Sequence, residues 1–208
     1  MEVSMENVMA ERKMLDWLDE RLVIVAGGPA SGKTLLLLNM AYQQAKRGIP
    51  TGIISLEMDA QSVLDRIAAT NALDSFSDIS LHISSIPEMV NGHFFWNKMK
   101  KMAEDGVKTI VVDYIDLVWV GNARRAINDL VYFSIANPCV SIFVGKNLSR
   151  DAISLADSEQ IFRYRRAWET AGAVLVTKGL EDNALSVFVA KNRHGRQGDY
   201  VKIKFIGE

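Results

Sequence analysis

Apolar and polar positions follow two rhythms along this chain. Leu22-Val23-Ile24-Val25-Ala26 is a continuous apolar run, and Ile110-Val111-Val112 forms another inside Lys108–Tyr114. Uninterrupted runs of this length predict strands of a parallel sheet that is covered on both faces. Thr51–Leu56, Ile79–Ile83, 139–145 and 173–177 read as further strands. Between them the spacing changes to that of helices. Leu35–Ala45 suits one helix, ended by Lys46-Arg47-Gly48-Ile49-Pro50, with basic residues in the last turn before glycine and proline. A second starts near Ala60 with Asp59 as its cap and carries Val63, Leu64, Ile67 and Ala68 at 3–4 spacing. A third covers 93–104 with a basic face (Lys98, Lys100, Lys101) and ends at Gly106, and a fourth crosses 123–136. In the tail, two β runs at 184–190 and 200–206 flank Arg193-His194-Gly195-Arg196-Gln197-Gly198, which predicts a hairpin. Strands alternating with helices define an α/β fold, a mainly parallel sheet flanked by helices and finished by a C-terminal antiparallel hairpin.

Residues 1–20 stand apart from this alternation. Val3, Met5, Val8, Met9, Met14, Leu15, Trp17 and Leu18 lie among charges, and part of the spacing suits a helix with one apolar face. Two readings stand: a helix packed on its own domain, or an arm or linker that docks on a neighbouring subunit. Residues 21–208 then form one domain. With 208 residues, 49% hydrophobic and 24% charged, the chain has enough apolar material for a sizeable core. The formal net charge of -1 means that any nucleic-acid contact comes from a local patch. The single cysteine, Cys139, cannot form an internal disulfide, and its apolar surroundings predict a buried strand position. No apolar run approaches membrane-spanning length, and the acids Glu2, Glu6, Glu11 and Asp16 are unlike a secretory leader, so a cytoplasmic location away from membranes is expected.

Chemistry concentrates where the first strand meets the first helix. Gly27-Gly28-Pro29-Ala30-Ser31-Gly32-Lys33-Thr34 reads G-x-x-x-x-G-K-T, the phosphate-binding loop, in the strand–loop–helix context that this motif requires. Glycines let the backbone curl its N–H groups inward toward an anion, and the helix N-terminus adds the positive end of its dipole. Lys33 can reach the outer phosphates, and the Thr34 hydroxyl can ligate Mg²⁺. Such a site takes a nucleoside triphosphate and needs a second acid for the metal. Asp113, at the carboxyl end of a central strand, is that candidate; Asp116 is a weaker one that points elsewhere. Glu57 ends the second strand, where ligands of open α/β sheets sit. It suits a base for the attacking water and equally a helix N-terminal acid. Lys191 and Arg193, two apart, face one side of a strand. They suit either an arginine-finger pair reaching another subunit's nucleotide or charges that protect a sheet edge. Segment 146–170 interleaves Lys146, Arg150, Arg163, Arg165 and Arg166 with Tyr164 and Trp168. That pattern fits a loop tracking a phosphodiester backbone and also a solvated surface helix.

Taken together, Gly27–Thr34, Ile53-Ile54-Ser55-Leu56-Glu57-Met58, Val111–Leu117, Lys146-Asn147-Leu148-Ser149-Arg150 and Lys191-Asn192-Arg193-His194-Gly195 resemble, in this order, the DnaB family. The resemblance is to the RecA-like C-terminal ATPase domain of replicative DNA helicases and runs from about residue 20 to the end. It implies ATP and Mg²⁺ as cofactors, Glu57 as catalytic glutamate and Asp113 as the metal-associated acid. It further implies Lys191 and Arg193 as a pair inserted into the next subunit's site, and the segment after Asn147 as a single-stranded-DNA loop with Arg150, Arg163, Arg165 and Arg166. Asn147 stands where the family usually has glutamine, in a position that senses the γ-phosphate, and is one methylene shorter. The resemblance also implies a homo-oligomer, a hexameric ring, working beside other replication proteins, with residues 1–20 as the remnant of a linker helix.

Three functions are compatible with these residues. One is a DNA-stimulated ATPase motor of the DnaB helicase type. Another is a RecA-like recombination or repair ATPase that forms an open filament on DNA. The third is a nucleotide-binding helicase loader or regulator without motor activity.

Overall fold

The computed structural model of the chain describes residues 17–71, 76, 79–86, 92–119, 122–148, 164–181 and 184–205. Most of the expected amphipathic segment 1–20 lies outside them. In chain order the elements are β1 (Leu22–Gly27), α1 (Lys33–Lys46), β2 (Thr51–Ser55), α2 (Ala60–Asn71), β3 (Leu81–Ser85), α3 (Gly92–Glu104) and β4 (Thr109–Asp113). A single 3-10 turn (Ile115–Leu117) follows, then α4 (Ala123–Ala136), β5 (Ser141–Asn147), α5 (Arg165–Thr170), β6 (Ala173–Glu181), β7 (Ala184–Asn192) and β8 (Tyr200–Lys204).

The strands form one sheet in the order β3-β2-β4-β5-β1-β6-β7-β8. The six from β3 to β6 run parallel, and β7 and β8 add the antiparallel edge. Successive residues of a strand point to opposite faces, and here both faces are apolar. Ile24, Ile54, Val112, Val144 and Val176 pack against Phe95 and Met99 of α3 and Leu130 of α4. Val23, Val25, Ile53, Val111, Phe143 and Leu175 pack against Leu36, Leu37 and Met40 of α1 and Val63 and Ile67 of α2. Trp17 and Leu18 join this second layer, so the segment just before β1 is part of the domain's own core. That two-sided burial is why the central strands read as unbroken apolar runs.

The last hairpin agrees with its sequence pattern, alternating buried and exposed along β8. One expectation fails at β5. The strand begins at Ser141, and Cys139 is exposed in the turn before it, where the Val140 N–H donates to the Asn137 carbonyl at 3.1 Å. Pro138 has no N–H to give to a ladder and bends the chain, so the apolar Cys139-Val140 pair stays outside the sheet. The strand instead extends to Asn147. No helix among the described residues is long and apolar enough to cross a membrane.

Candidate nucleotide site

β1 lies in the middle of the sheet between β5 and β6, so the loop that follows it emerges at the carboxyl end of the strands, between Asn147 and Thr177. The path of the loop is fixed by two glycines. A Cβ on Gly27 would meet the Thr177 hydroxyl oxygen at 2.3 Å and that of Ser31 at 2.4 Å. Those two hydroxyls are bonded to each other at 2.7 Å, and Thr177 also donates to the Ala26 carbonyl at 3.2 Å. Gly32 has φ +87°, a left-handed conformation that suits glycine. It precedes α1 without a side-chain cap, and the first turn of α1 carries no acid. The N–H groups of that turn have no acceptor within the helix, which makes this end a seat for an anion.

Lys33 is 6% exposed and folds back to donate to the Gly28 carbonyl at 2.6 Å. Burial pulls its pKa down, against the charges of Asp113, Asp116 and Glu57. Asp113, 1% exposed, ends β4 beside the Thr34 side chain. Burial holds its carboxyl above the ordinary carboxylate range, opposed by the nearby Thr34 hydroxyl and reinforced by the Glu57 charge. The Asp113 Oδ1 atom is buried with no hydrogen-bond partner among the described residues. A hydroxyl and an unpartnered carboxylate oxygen beside a phosphate-shaped loop fit Mg²⁺, which takes one or two protein oxygens and completes its shell with phosphate and water.

The loop opens into a cleft of about 490 Å³ lined by Pro29 to Leu35 and by Glu57, Arg66, Tyr114, Asn147 and Leu180. Glu57 is exposed just past β2. The Ser55 hydroxyl holds the turn that carries it, bonding both the carbonyl (2.7 Å) and the N–H (3.0 Å) of Met58. Asp59 caps α2 as expected, accepting from the Ser62 N–H at 2.8 Å, and that contact lowers its pKa. The Tyr114 side chain lies beside that of Asn147, and burial raises the tyrosine's pKa. The structure therefore brings Lys33, Thr34, Glu57 and Asn147 to one cleft, with the buried Asp113 beside Thr34.

It does not bring Lys191 and Arg193 there. Thr177 is level with Gly27, whereas Lys191 is level with Val174. Three residues of strand separate those levels, roughly 10 Å toward the opposite end of the sheet. Both side chains reach the carbonyl end of α5. Lys191 donates to Trp168 and Glu169, and Arg193 to Glu169 at 3.2 Å and Thr170 at 3.3 Å. Burial, then the neighbouring Arg193 charge, lowers the Lys191 pKa. Of the expected DNA-contacting residues, Arg150 and Arg163 lie outside the described residues. Arg165 is exposed and paired with Glu169 at 2.8 Å, and Arg166 bonds the Tyr132 hydroxyl and lies over its ring.

Sequence reasoning missed Arg66, Tyr114 and Leu180 as cleft residues. Arg66 is on a helix whose spacing shows only its apolar face, and Leu180 comes from a strand distant in sequence. Tyr114 adjoins Asp113, so its place at a strand's carboxyl end was a usable signal. Sequence reasoning also missed an ion pair between Asp116 and Lys146, thirty residues apart.

Comparison with known proteins agrees with this architecture. The DnaB-like helicase C terminal domain family matches residues 9–84. The replicative DNA helicase DnaB of Nostoc sp. (strain PCC 7120) is 27% identical over 130 residues, covering 50% of this chain. The chain spans only 15% of that protein's length. Among solved structures, an ATPase domain superposes with a TM-score of 0.69 at 18% identity, covering 90% of this chain and 82% of that one. A KaiC-like protein from Pyrococcus horikoshii gives 0.67 at 19% identity, covering 88% and 84%. A DnaB-like replicative helicase gives 0.67 at 18%, covering 91% and 56%. The fold is that of RecA-like ATPase domains, and the chain resembles the C-terminal domain of DnaB-type helicases. Asp113, Asn147, Lys191 and Arg193 all lie beyond the matched residues 9–84.

Proposed function

We propose that this domain binds ATP with Mg²⁺ and hydrolyses it at the interface between two copies, as a motor domain of the DnaB type acting on single-stranded DNA. The observation that carries the reading is the buried Asp113 carboxyl at the end of β4, beside Thr34 of the phosphate loop and with one oxygen unpartnered among the described residues. The N–H groups at the start of α1 and the Lys33 ammonium bind the phosphates and hold their negative charge. Asp113 and Thr34 would hold Mg²⁺, which when bound neutralises phosphate charge. Glu57, exposed across the cleft, accepts the proton of the attacking water. Asn147 and Tyr114 line the same cleft, and in this reading they meet the outer phosphates.

The charge that develops on the transferring phosphate calls for a further cation opposite Lys33. Lys191 and Arg193 are cations at the end of the sheet away from their own cleft, and in this reading they serve a neighbouring copy. A homo-oligomer, a ring of the DnaB kind or a filament, then follows from the need to complete every site. In this reading Arg165 and Arg166 contact the DNA, and Arg150 and Arg163, outside the described residues, are the further candidates from the sequence. The test is steady-state ATP hydrolysis with and without single-stranded DNA at several protein concentrations. A rate that rises with DNA and steeply with protein supports the motor. A flat, low rate under all conditions moves the assignment to a nucleotide-binding loader or regulator.

A further inference from the structure

We infer that Asp116 and Lys146 are positioning residues, an ion pair that fixes Asn147 so that its side chain distinguishes a triphosphate from a diphosphate in the cleft. The inference rests on the nucleotide-site reading above and starts from sheet geometry. The ladder between β4 and β5 stops at Val112 opposite Val144, but β5 continues to Asn147 with β1 as its remaining neighbour. Peptide groups of a strand point alternately toward its two neighbours. Those facing the lane that β4 has left are shielded from water and need other partners.

The 3-10 turn after β4 fills that lane with a side chain. The Asp116 Oδ2 atom accepts the Asn147 N–H at 2.8 Å, and its Oδ1 atom accepts from the Lys146 ammonium. Lys146 also donates to the Asn147 carbonyl at 2.7 Å. Both main-chain polar groups of Asn147 are thus tied to one pair, and its side chain alone remains for Tyr114 and the cleft. The pair is largely out of solvent, with side chains 8% and 19% exposed.

Stability alone does not call for ions here. A neutral acceptor would satisfy the Asn147 N–H, and a buried ion pair adds little net stability over apolar groups of its size. Charge-assisted bonds from both sides do give a short, rigid geometry. A short asparagine side chain needs that rigidity to meet a phosphate oxygen. Lys146 also lies 5.9 Å from the centre of the ring of Tyr164, the residue that precedes the helix carrying Arg165 and Arg166.

The experiment is calorimetric binding of ATP and of ADP, each with Mg²⁺, to four proteins: the parent, Asn147→Ala, Asp116→Asn/Lys146→Met, and the triple variant. Asn147→Ala and the pair variant are each expected to weaken ATP about tenfold and ADP less than about twofold. The triple variant is expected to bind ATP no more weakly than Asn147→Ala, because all three changes remove one interaction. Equal weakening of both nucleotides by the pair variant, no effect on either, or a triple variant that multiplies the two losses overturns the inference. Removing both charges leaves no unpaired buried ion. If that variant does not fold, Asp116→Glu keeps every charge and displaces the carboxylate by one methylene. It must weaken ATP selectively, and equal effects on ATP and ADP sink the idea. A parent that binds neither nucleotide rejects the nucleotide site itself, and this inference with it. A parent that binds both, with no selective loss in the variants, rejects only the inference.

Discussion

At the scale of single residues the cleft sets binding against stability. Lys33→Ala removes the only ammonium inside the phosphate loop. Turnover should fall about 10²–10³-fold, as when one charge-stabilising donor is lost, and a phosphate-release assay reads it directly. Glu57→Gln keeps the shape of the cleft and removes the proton acceptor. ATP affinity should stay near the parent's while turnover drops about 10²–10⁴-fold; a matching loss of affinity would argue for a binding role instead. Asp113 gives a pH signature. Its folded pKa lies above the ordinary 3.8. Below 3.8 the carboxyl is protonated in both folded and unfolded chains and carries no penalty. As pH rises through 3.8 toward the raised folded value, the penalty of a buried charge appears, and above that value it is complete. The nucleotide-free protein should therefore lose stability across that window, and Asp113→Asn should not. At neutral pH, thermal melts should show Asp113→Asn more stable than the parent, while its Mg²⁺-dependent turnover is lost. Gains of this kind are usual where a charged group is kept for function.

At the scale of elements, the short helix α5 matters most. Its carbonyl end holds both Lys191 and Arg193, and it follows the basic segment of the chain. The hydrogen-bond acceptors of the two cations are backbone carbonyls of α5, so their location depends on where α5 sits. Arg193→Ala should keep nucleotide binding and lose about 10³-fold or more in turnover, the range of a trans-acting arginine. Mixing Arg193→Ala with Lys33→Ala sharpens this test. Each variant alone should be inactive. A mixture should regain activity at about a quarter of its interfaces, where an intact cleft meets an intact arginine by random assortment of subunits. No recovery on mixing would rule out the shared site. The same element view explains why β5 runs past its expected end: Asp116 substitutes for the missing β4 partner and carries the strand to Asn147.

At the scale of the whole molecule, a net charge of -1 gives no general attraction to nucleic acid. Under the proposed function, binding to single-stranded DNA comes from the local arginines, so affinity should fall with added salt at a slope set by the few phosphates they neutralise. Replacing Arg165 and Arg166 together by glutamine should flatten that slope and leave nucleotide affinity unchanged. A titration at several salt concentrations checks it, and an unchanged slope would remove this face from the DNA path.

The short helix Arg165–Thr170 was not read as an element, but local pattern alone determined the α/β class, the alternation of strands and helices up to β5, the phosphate loop, the Asp59 cap and the terminal hairpin. Each is written in neighbouring residues, because a strand buried on both faces must be apolar throughout and a phosphate loop needs its glycines and lysine at fixed spacing. Glu57 and Asp113 were legible for the same reason, since both end a strand and open α/β sheets bind ligands at that edge. Tertiary structure decided the rest. Which strands are neighbours, and in what register, puts Thr177 against Ser31, 146 positions away, and Asp116 against Lys146. It also moves Cys139 out of the sheet and places Lys191 and Arg193 at the end opposite their own cleft. These pairings arise when separate strands come together to bury their apolar faces, and no periodicity within one segment encodes them.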